Sequence, residues 1–264
     1  MKKIFALIFA LTLSTFLCVS CAKNYEATVD ISNNTTKMVA HRGLSGLEVE
    51  NTVNAFRLAG NHSYYGVEAD VRKTSDGKFV MCHDDSLKRI SGFDLKVENS
   101  TLNSLKNVVL YDKNSKSKTQ NIKIATLEEY IEVCKECQKH CYLELKPAFS
   151  LDDISNIISI INNYNYLESV TFISFDYQNL LHVRSLLPTQ PVQFLFNEVT
   201  NEIKEKLARD KIDVDVKHKG IKKADVEYFH SIGLKVNCWT VDSKATAEKL
   251  ISWGVDYITT NILE

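Results

Sequence analysis

Gly66-Val67-Glu68-Ala69-Asp70-Val71 sets acidic residues alternately with apolar ones inside a run that otherwise reads as a short buried strand. Cys141-Tyr142-Leu143-Glu144-Leu145-Lys146 repeats the pattern further along the chain. A period of two puts Glu68 and Asp70 on one strand face, with Glu144 and Lys146 together on another. Carboxylates aimed into a protein interior are costly to desolvate unless positive charge sits among them, so a bound divalent cation is expected there. Glu68, Asp70 and Glu144 are its candidate ligands.

Outward from these two stretches, strand-like runs recur at residues 38–40, 67–71, 142–145, 170–174, 192–196, 212–216, 236–241 and 257–260. Most gaps between these eight runs hold apolar residues near a 3.6 period: Val53, Phe56 and Ala59; Leu127, Ile131 and Cys134; Leu151, Ile154, Ile158 and Ile161. The same period continues in Leu180, Val183 and Leu187, in Val226 and Phe229, and in Ala247, Leu250 and Ile251. Alternating strand and helix predicts an α/β fold with a parallel sheet, and eight units predict a closed (β/α)8 TIM barrel. A ninth run, residues 79–82, follows the second strand after only Thr74-Ser75-Asp76-Gly77-Lys78. That connection is too short for a parallel crossover and suits a hairpin that brings His83 back over the barrel mouth. Residues 84–125 fit no barrel unit and read as a small insertion after the second strand, on the catalytic face, either selecting substrate or merely solvated.

The ends and composition bound the rest. Met1-Lys2-Lys3 and the apolar run to Val19 read as an export signal over residues 1–20. Cys18-Val19-Ser20-Cys21 resembles a bacterial lipoprotein signal, so Cys21 is the expected lipidation site, with simple secretion as the alternative. Residues 21–36 would be a tether and 37–264 the barrel domain. The chain is then exported and lipid-anchored in a bacterial cell envelope, or otherwise periplasmic or secreted. No later stretch has the 18 or so apolar residues needed to span a bilayer. The net charge is −1, and removing the signal with Lys2 and Lys3 makes it −3, which argues against a nucleic-acid partner. Cys134, Cys137, His140 and Cys141 superficially suggest zinc but lack the usual two-pair spacing; a disulfide or unpaired thiols are the other readings.

Taken in order, His41-Arg42-Gly43, Glu50-Asn51-Thr52, Glu68-Ala69-Asp70-Val71-Arg72, Asp76-Gly77, His83-Asp84, Thr126-Leu127-Glu128-Glu129, Leu143-Glu144-Leu145-Lys146, Ser174-Phe175, Trp239-Thr240-Val241-Asp242 and Gly254-Val255-Asp256 resemble the glycerophosphodiester phosphodiesterase family over nearly the whole mature chain. The resemblance implies a (β/α)8 barrel that hydrolyses glycerophosphodiesters to sn-glycerol 3-phosphate and an alcohol with one Ca²⁺ or Mg²⁺. It implies Glu68, Asp70 and Glu144 as metal ligands and His41 and His83 as the acid/base pair. Oxygen donors without thiolate favour Ca²⁺ or Mg²⁺ over zinc. Arg42 and Lys146 are expected to hold phosphate oxygens, and Trp239 and Phe175 to form a wall against the substrate. Glu50 reads either as a first-turn helix acid or as part of the site's shell, metal coordination included; Asn51 braces the site or caps a turn. Asp213, Asp215 and Lys217 would face inward as a polar layer. Two departures stand out: Val49 where the family has proline, and Asn261 where an acid is common near the last strand. Neither is expected to touch the metal ligands or the histidines. Alternative readings are a phospholipase D-type enzyme on lysolipids or polyol-phosphate polymers, and a non-catalytic surface binding protein on the same barrel.

Overall fold

Glu68 and Asp70 lie on β2 (Gly66–Lys73), and β2 pairs in parallel with β4 (His140–Leu145) so that Asp70 stands opposite Glu144. The two acid-bearing strands are therefore neighbours. The computed structural model describes residues 28–30 and 35–264, so the expected signal, Cys21 and most of the tether lie outside the described residues. Six further strands complete the wall: β1 (Lys37–Ala40), β5 (Val170–Ser174), β6 (Val192–Phe196), β7 (Asp213–Lys217), β8 (Val236–Trp239) and β9 (Tyr257–Thr260). All of these pair in parallel, and β1 bonds to both β2 and β9, which closes the sheet into a barrel. Strand ends differ from the expected ones by a residue or two, as frayed ends do.

β3 (Phe79–Met81) runs antiparallel to β2, with Lys73 opposite Phe79. Gly77 takes φ +75° in the turn, and Gly77 N–H donates to the Thr74 carbonyl. This is the expected hairpin. It leaves His83 just beyond β3, where Arg72 Nε and Nη2 both donate to the His83 carbonyl at 3.2 and 3.0 Å.

The barrel helices start on side-chain caps written into the sequence. Thr52 caps α1 (Val53–Gly60), Ser150 caps α5 (Leu151–Asn163) and Asp176 caps α6 (Tyr177–Leu186). Thr126 and Glu129 form a reciprocal capping box on α4 (Leu127–Glu136). The apolar residues of these helices, with those of α8 (Lys223–Ser231) and α9 (Lys244–Ser252), bury against the outer barrel face. α7 (Asn201–Asp210), absent from the predicted helices, carries only a thin apolar stripe, Ile203 and Leu207 four residues apart on an otherwise charged helix. Leu207 alone is buried, so the Thr200 cap and tertiary contact define it.

Residues 84–125 form more than an open loop. They hold two short helices, α2 (Lys88–Ser91) and α3 (Leu102–Lys106), around Leu87, Val97, Leu105, Leu110, Ile122 and Ile124, which pack with Val49, Val80 and Cys82 in a small core of their own. At the polar tip, Asp112 accepts bonds from Ser117, Thr119 and Gln120. Within the stretch read as tether, Val29 is buried and its N–H donates to the Glu264 carbonyl at 2.7 Å. No described helix is long and apolar enough to cross a membrane.

Candidate active site

Arg42 and Gly43, immediately after β1, set the shape of the site's first wall. Gly43 has φ +76°, and a Cβ there would lie 2.6 Å from the Ala55 backbone, so this position demands glycine. Arg42 is itself left-handed at φ 54°, a conformation that costs about 1 kcal/mol or more for a non-glycine residue. The backbone is bent this way so that Arg42 N–H donates to Glu68 Oε2 at 2.8 Å. Asn51, also left-handed at φ 56°, clamps Asp70 from both ends: its Nδ2 donates to Asp70 Oδ2 at 2.7 Å and its Oδ1 accepts from Asp70 N–H at 3.2 Å.

Glu68, Asp70 and Glu144 are all buried, with one carboxylate oxygen from each lying within 4.8 Å of the others. Arg42 Nε approaches Asp70 Oδ2 to 3.3 Å, while Lys146 Nζ lies 2.8 Å from Glu144 Oε1 and 3.6 Å from Asp70 Oδ1. Even so, Glu68 Oε1 and Asp70 Oδ1 have no hydrogen-bond partner. Burial pushes Glu68 and Glu144 up, Glu144 to about 8, and the Asp70 carboxylate raises both further. Burial also acts against Asp70, but Arg42 and Lys146 outweigh it and hold that group well below the carboxylate range. Buried oxygens with spare lone pairs, bunched at this distance, fit a hard divalent cation.

His41 and His83 flank this cluster. His41 Nε2 lies 3.9 Å from Glu68 Oε2, and burial, helped by Arg42, pushes its ring down to about 4. His83 is also lowered, by burial first, against the pull of Asp70 and of Asp84 Oδ1, which lies 2.7 Å from its Nδ1. Both rings, Glu68 and Glu144 line one open cavity together with Arg42 and Lys146. Its far wall is apolar: Phe175, 45% exposed, meets Trp239 edge-on with ring centroids 5.5 Å apart, and Trp239 Nε1 donates to the Asp215 carbonyl. Asp70 and Asn51 lie beneath, fully buried.

Several expectations need correction or completion. Glu50 stands outside the acidic cluster, and no acid occupies the first turn of α1. Its oxygens are taken by Arg42 Nη1 at 2.9 Å and by Arg89 Nη1 and Nη2 at 2.7 and 2.9 Å, so it braces Arg42. Asn261 does touch a histidine, contrary to expectation: its Oδ1 lies 2.7 Å from His41 Nδ1. The sequence distance between β1 and β9 hid a contact that barrel closure creates. Of the expected inward polar layer, Asp215 is buried and lines the cavity, Asp213 is partly buried and accepts from Lys235 N–H, and Lys217 is exposed. Arg89 was missed altogether; it joins Glu50 to Asp84 and so links the supports of Arg42 and His83. Cys134, Cys137 and Cys141 are free thiols, and His140 bonds to Thr171 instead of joining them.

What this mouth can do is bind an anionic ester and exchange protons on either side of it, which is the work of a phosphodiesterase. Comparison with known proteins places it more narrowly. Residues 41–264 match the model of the glycerophosphoryl diester phosphodiesterase family; the chain belongs to that family and is an enzyme. It is 29% identical over 229 residues to a glycerophosphodiester phosphodiesterase of Caldanaerobacter subterraneus subsp. tengcongensis, covering 86% of this chain and 94% of that one. A Bacillus subtilis glycerophosphodiester phosphodiesterase is 27% identical, over 84% of this chain and 82% of its own. Among solved structures, an Oleispira antarctica phosphodiesterase in complex with the product sn-glycerol-3-phosphate superposes with a TM-score of 0.80 at 27% identity, over 86% of this chain and 93% of that one.

Proposed function

We propose that this protein hydrolyses glycerophosphodiesters to sn-glycerol 3-phosphate and an alcohol, by metal-assisted acid/base catalysis between His41 and His83. The observation that carries the reading is the pair of buried oxygens without a hydrogen bond, Glu68 Oε1 and Asp70 Oδ1, within the three-carboxylate cluster between the two imidazoles. Glu68, Asp70 and Glu144 would hold the cation, Ca²⁺ or Mg²⁺. When bound, it neutralises phosphate charge and polarises a non-bridging oxygen.

The chain's own residues supply the rest. Arg42 and Lys146 carry fixed positive charge at the cavity floor and can bond the remaining phosphate oxygens, with Glu50 and Arg89 fixing Arg42 in place. Phe175 and Trp239 offer an apolar wall against which the glycerol carbons pack, which orients the ester between the rings. One imidazole takes the proton of the attacking group, either water directly or the substrate's own glycerol hydroxyl, which would give a cyclic phosphate that water then opens; the other protonates the leaving alkoxide, and each contributes roughly 10² to 10⁴ in rate. Similarity to the Oleispira antarctica enzyme, whose complex holds sn-glycerol-3-phosphate, supports that product.

Purified residues 22–264 are expected to release sn-glycerol 3-phosphate from glycerophosphocholine in a chelator-sensitive reaction, and His41→Ala and His83→Ala each to lose about 10²-fold or more in kcat. Chelator-insensitive turnover, or full activity in both variants, would falsify this mechanism. We further propose export and anchoring through lipid on Cys21. Cys21→Ser should then move the protein from the membrane to the soluble fraction, and continued detergent-sensitive retention rejects that anchor.

A further inference from the structure

His41 and His83 are held by chemically different partners. His83 Nδ1 meets a carboxylate, Asp84, whose other oxygen accepts from Arg89 Nε at 2.7 Å. His41 Nδ1 meets a primary amide, Asn261. An amide is ambiguous in such a place, because half a turn exchanges its acceptor for a donor. Asp242 removes the ambiguity. Its Oδ2 lies 2.6 Å from Asn261 Nδ2, and a carboxylate offers acceptors only, so the amide nitrogen faces Asp242 and the amide oxygen faces His41. Asp242 is itself held in position, its Oδ1 accepting from Asn261 N–H at 2.7 Å and from Thr260 Oγ1 at 3.2 Å. Ser45 Oγ also donates to Asn261 Oδ1, at 2.8 Å, but a hydroxyl can turn to donate or accept and does not decide the orientation.

We propose that Asn261, locked by Asp242, is a positioning residue that keeps the proton of neutral His41 on Nδ1 and so makes Nε2 the atom that exchanges protons with the substrate. The inference rests on the reading of His41 as a proton-transfer group. In a neutral imidazole, the partner of one nitrogen sets the state of the other. Nε2 is the nitrogen on the side of the acidic cluster, 3.9 Å from Glu68 Oε2. A proton resting on Nε2 would leave that ring unable to accept one from an attacking hydroxyl, and would leave Nδ1 facing Asn261 Oδ1 lone pair to lone pair.

The test is ¹⁵N NMR of imidazole-labelled protein at a pH where the rings are neutral, with His41→Gln identifying the signal. The wild type is expected to show His41 protonated at Nδ1. Asp242→Asn keeps the oxygen that accepts from Asn261 N–H and places an amide nitrogen where Oδ2 stood. Two NH₂ groups cannot bond each other, so Asn261 turns over and the His41 proton moves to Nε2. Turnover of glycerophosphocholine should fall about 10²-fold in kcat, with KM changed less than about twofold. Asn261→Asp, which keeps an oxygen at His41, should retain the Nδ1–H signal, and Asn261→Leu, which removes the acceptor, should leave a mixture of the two tautomers. A wild-type ring protonated at Nε2, an Asp242→Asn ring unchanged in a folded protein, or a tautomer change with unchanged kcat overturns the proposal. If Asp242→Asn does not fold, Asn261→Leu decides: a single retained Nδ1–H form rejects the clamp and a mixture supports it. Because the NMR signal does not require turnover, failure of the proposed activity is distinguishable from failure of this inference.

Discussion

Asn51 illustrates how one short side chain can govern a whole site. Held at φ 56°, it satisfies both the backbone N–H and one carboxylate oxygen of Asp70, leaving Asp70 Oδ1 directed at the cluster. Removing such a support leaves the ligand free to rotate, and outer partners of this kind are typically worth 10- to 100-fold in metal affinity. Asn51→Ala is therefore expected to weaken Ca²⁺ or Mg²⁺ binding about 10- to 100-fold, measured by isothermal titration calorimetry; unchanged affinity would contradict the role. His41, His83, Glu68, Asp70 and Glu144 were all legible from the strand alternation together with the family resemblance, because each lies in a short local pattern. Asn261 and Arg89 were not, because their partners lie 220 and 39 residues away in the chain.

Among the elements, the insertion matters most to the site. Its helix α2 carries Arg89, which reaches Glu50 on the barrel and Asp84 beside His83. Arg89 is half exposed and its pairs contribute little to stability, so Arg89→Ala should shift stability by no more than about 1 kcal/mol. Its loss leaves Arg42 and His83 less firmly oriented, and kcat is expected to drop several-fold or more while the thermal midpoint barely moves. A fall in midpoint that accounts for all lost activity would rule out this positioning role. Periodicity located six of the barrel helices because each buries an apolar stripe, whereas α7 has a stripe of only Ile203 and Leu207 among charged residues, and buries Leu207 alone. The core of residues 84–125 escaped notice for a related reason: its apolar residues come singly from irregular segments and converge only after folding.

For the molecule as a whole, closing the barrel also buries a titratable group at the rim opposite the mouth. Near its lower rim His140 stacks on Tyr65 and bonds Thr171, and burial lowers its ring from 6.5 to about 4, with Lys37 and Lys235 adding to the effect. As pH falls through 6.5 the unfolded chain takes up the proton first, so His140 favours folding above 6.5 and that contribution is lost between 6.5 and about 4. The span corresponds to roughly 3 kcal/mol. Denaturant titrations of the wild type and His140→Gln should show a flatter acid limb in the variant; parallel limbs would refute the assignment.

Local pattern in the chain was enough for the alternation of strands and helices, the hairpin at Asp76-Gly77, the caps, and the acids and histidines that lie on or beside barrel strands, because a two- or 3.6-residue period and a capping side chain act over a few residues. Closure of the barrel decided what no local signal carries: that β9 lies against β1, bringing Asn261 and Asp242 to His41, that Glu50 turns to Arg42 and Arg89 instead of the acidic cluster, and that Val29 is buried. Those contacts depend on where whole elements settle to bury their apolar faces, and this follows from the sum of packing across the molecule.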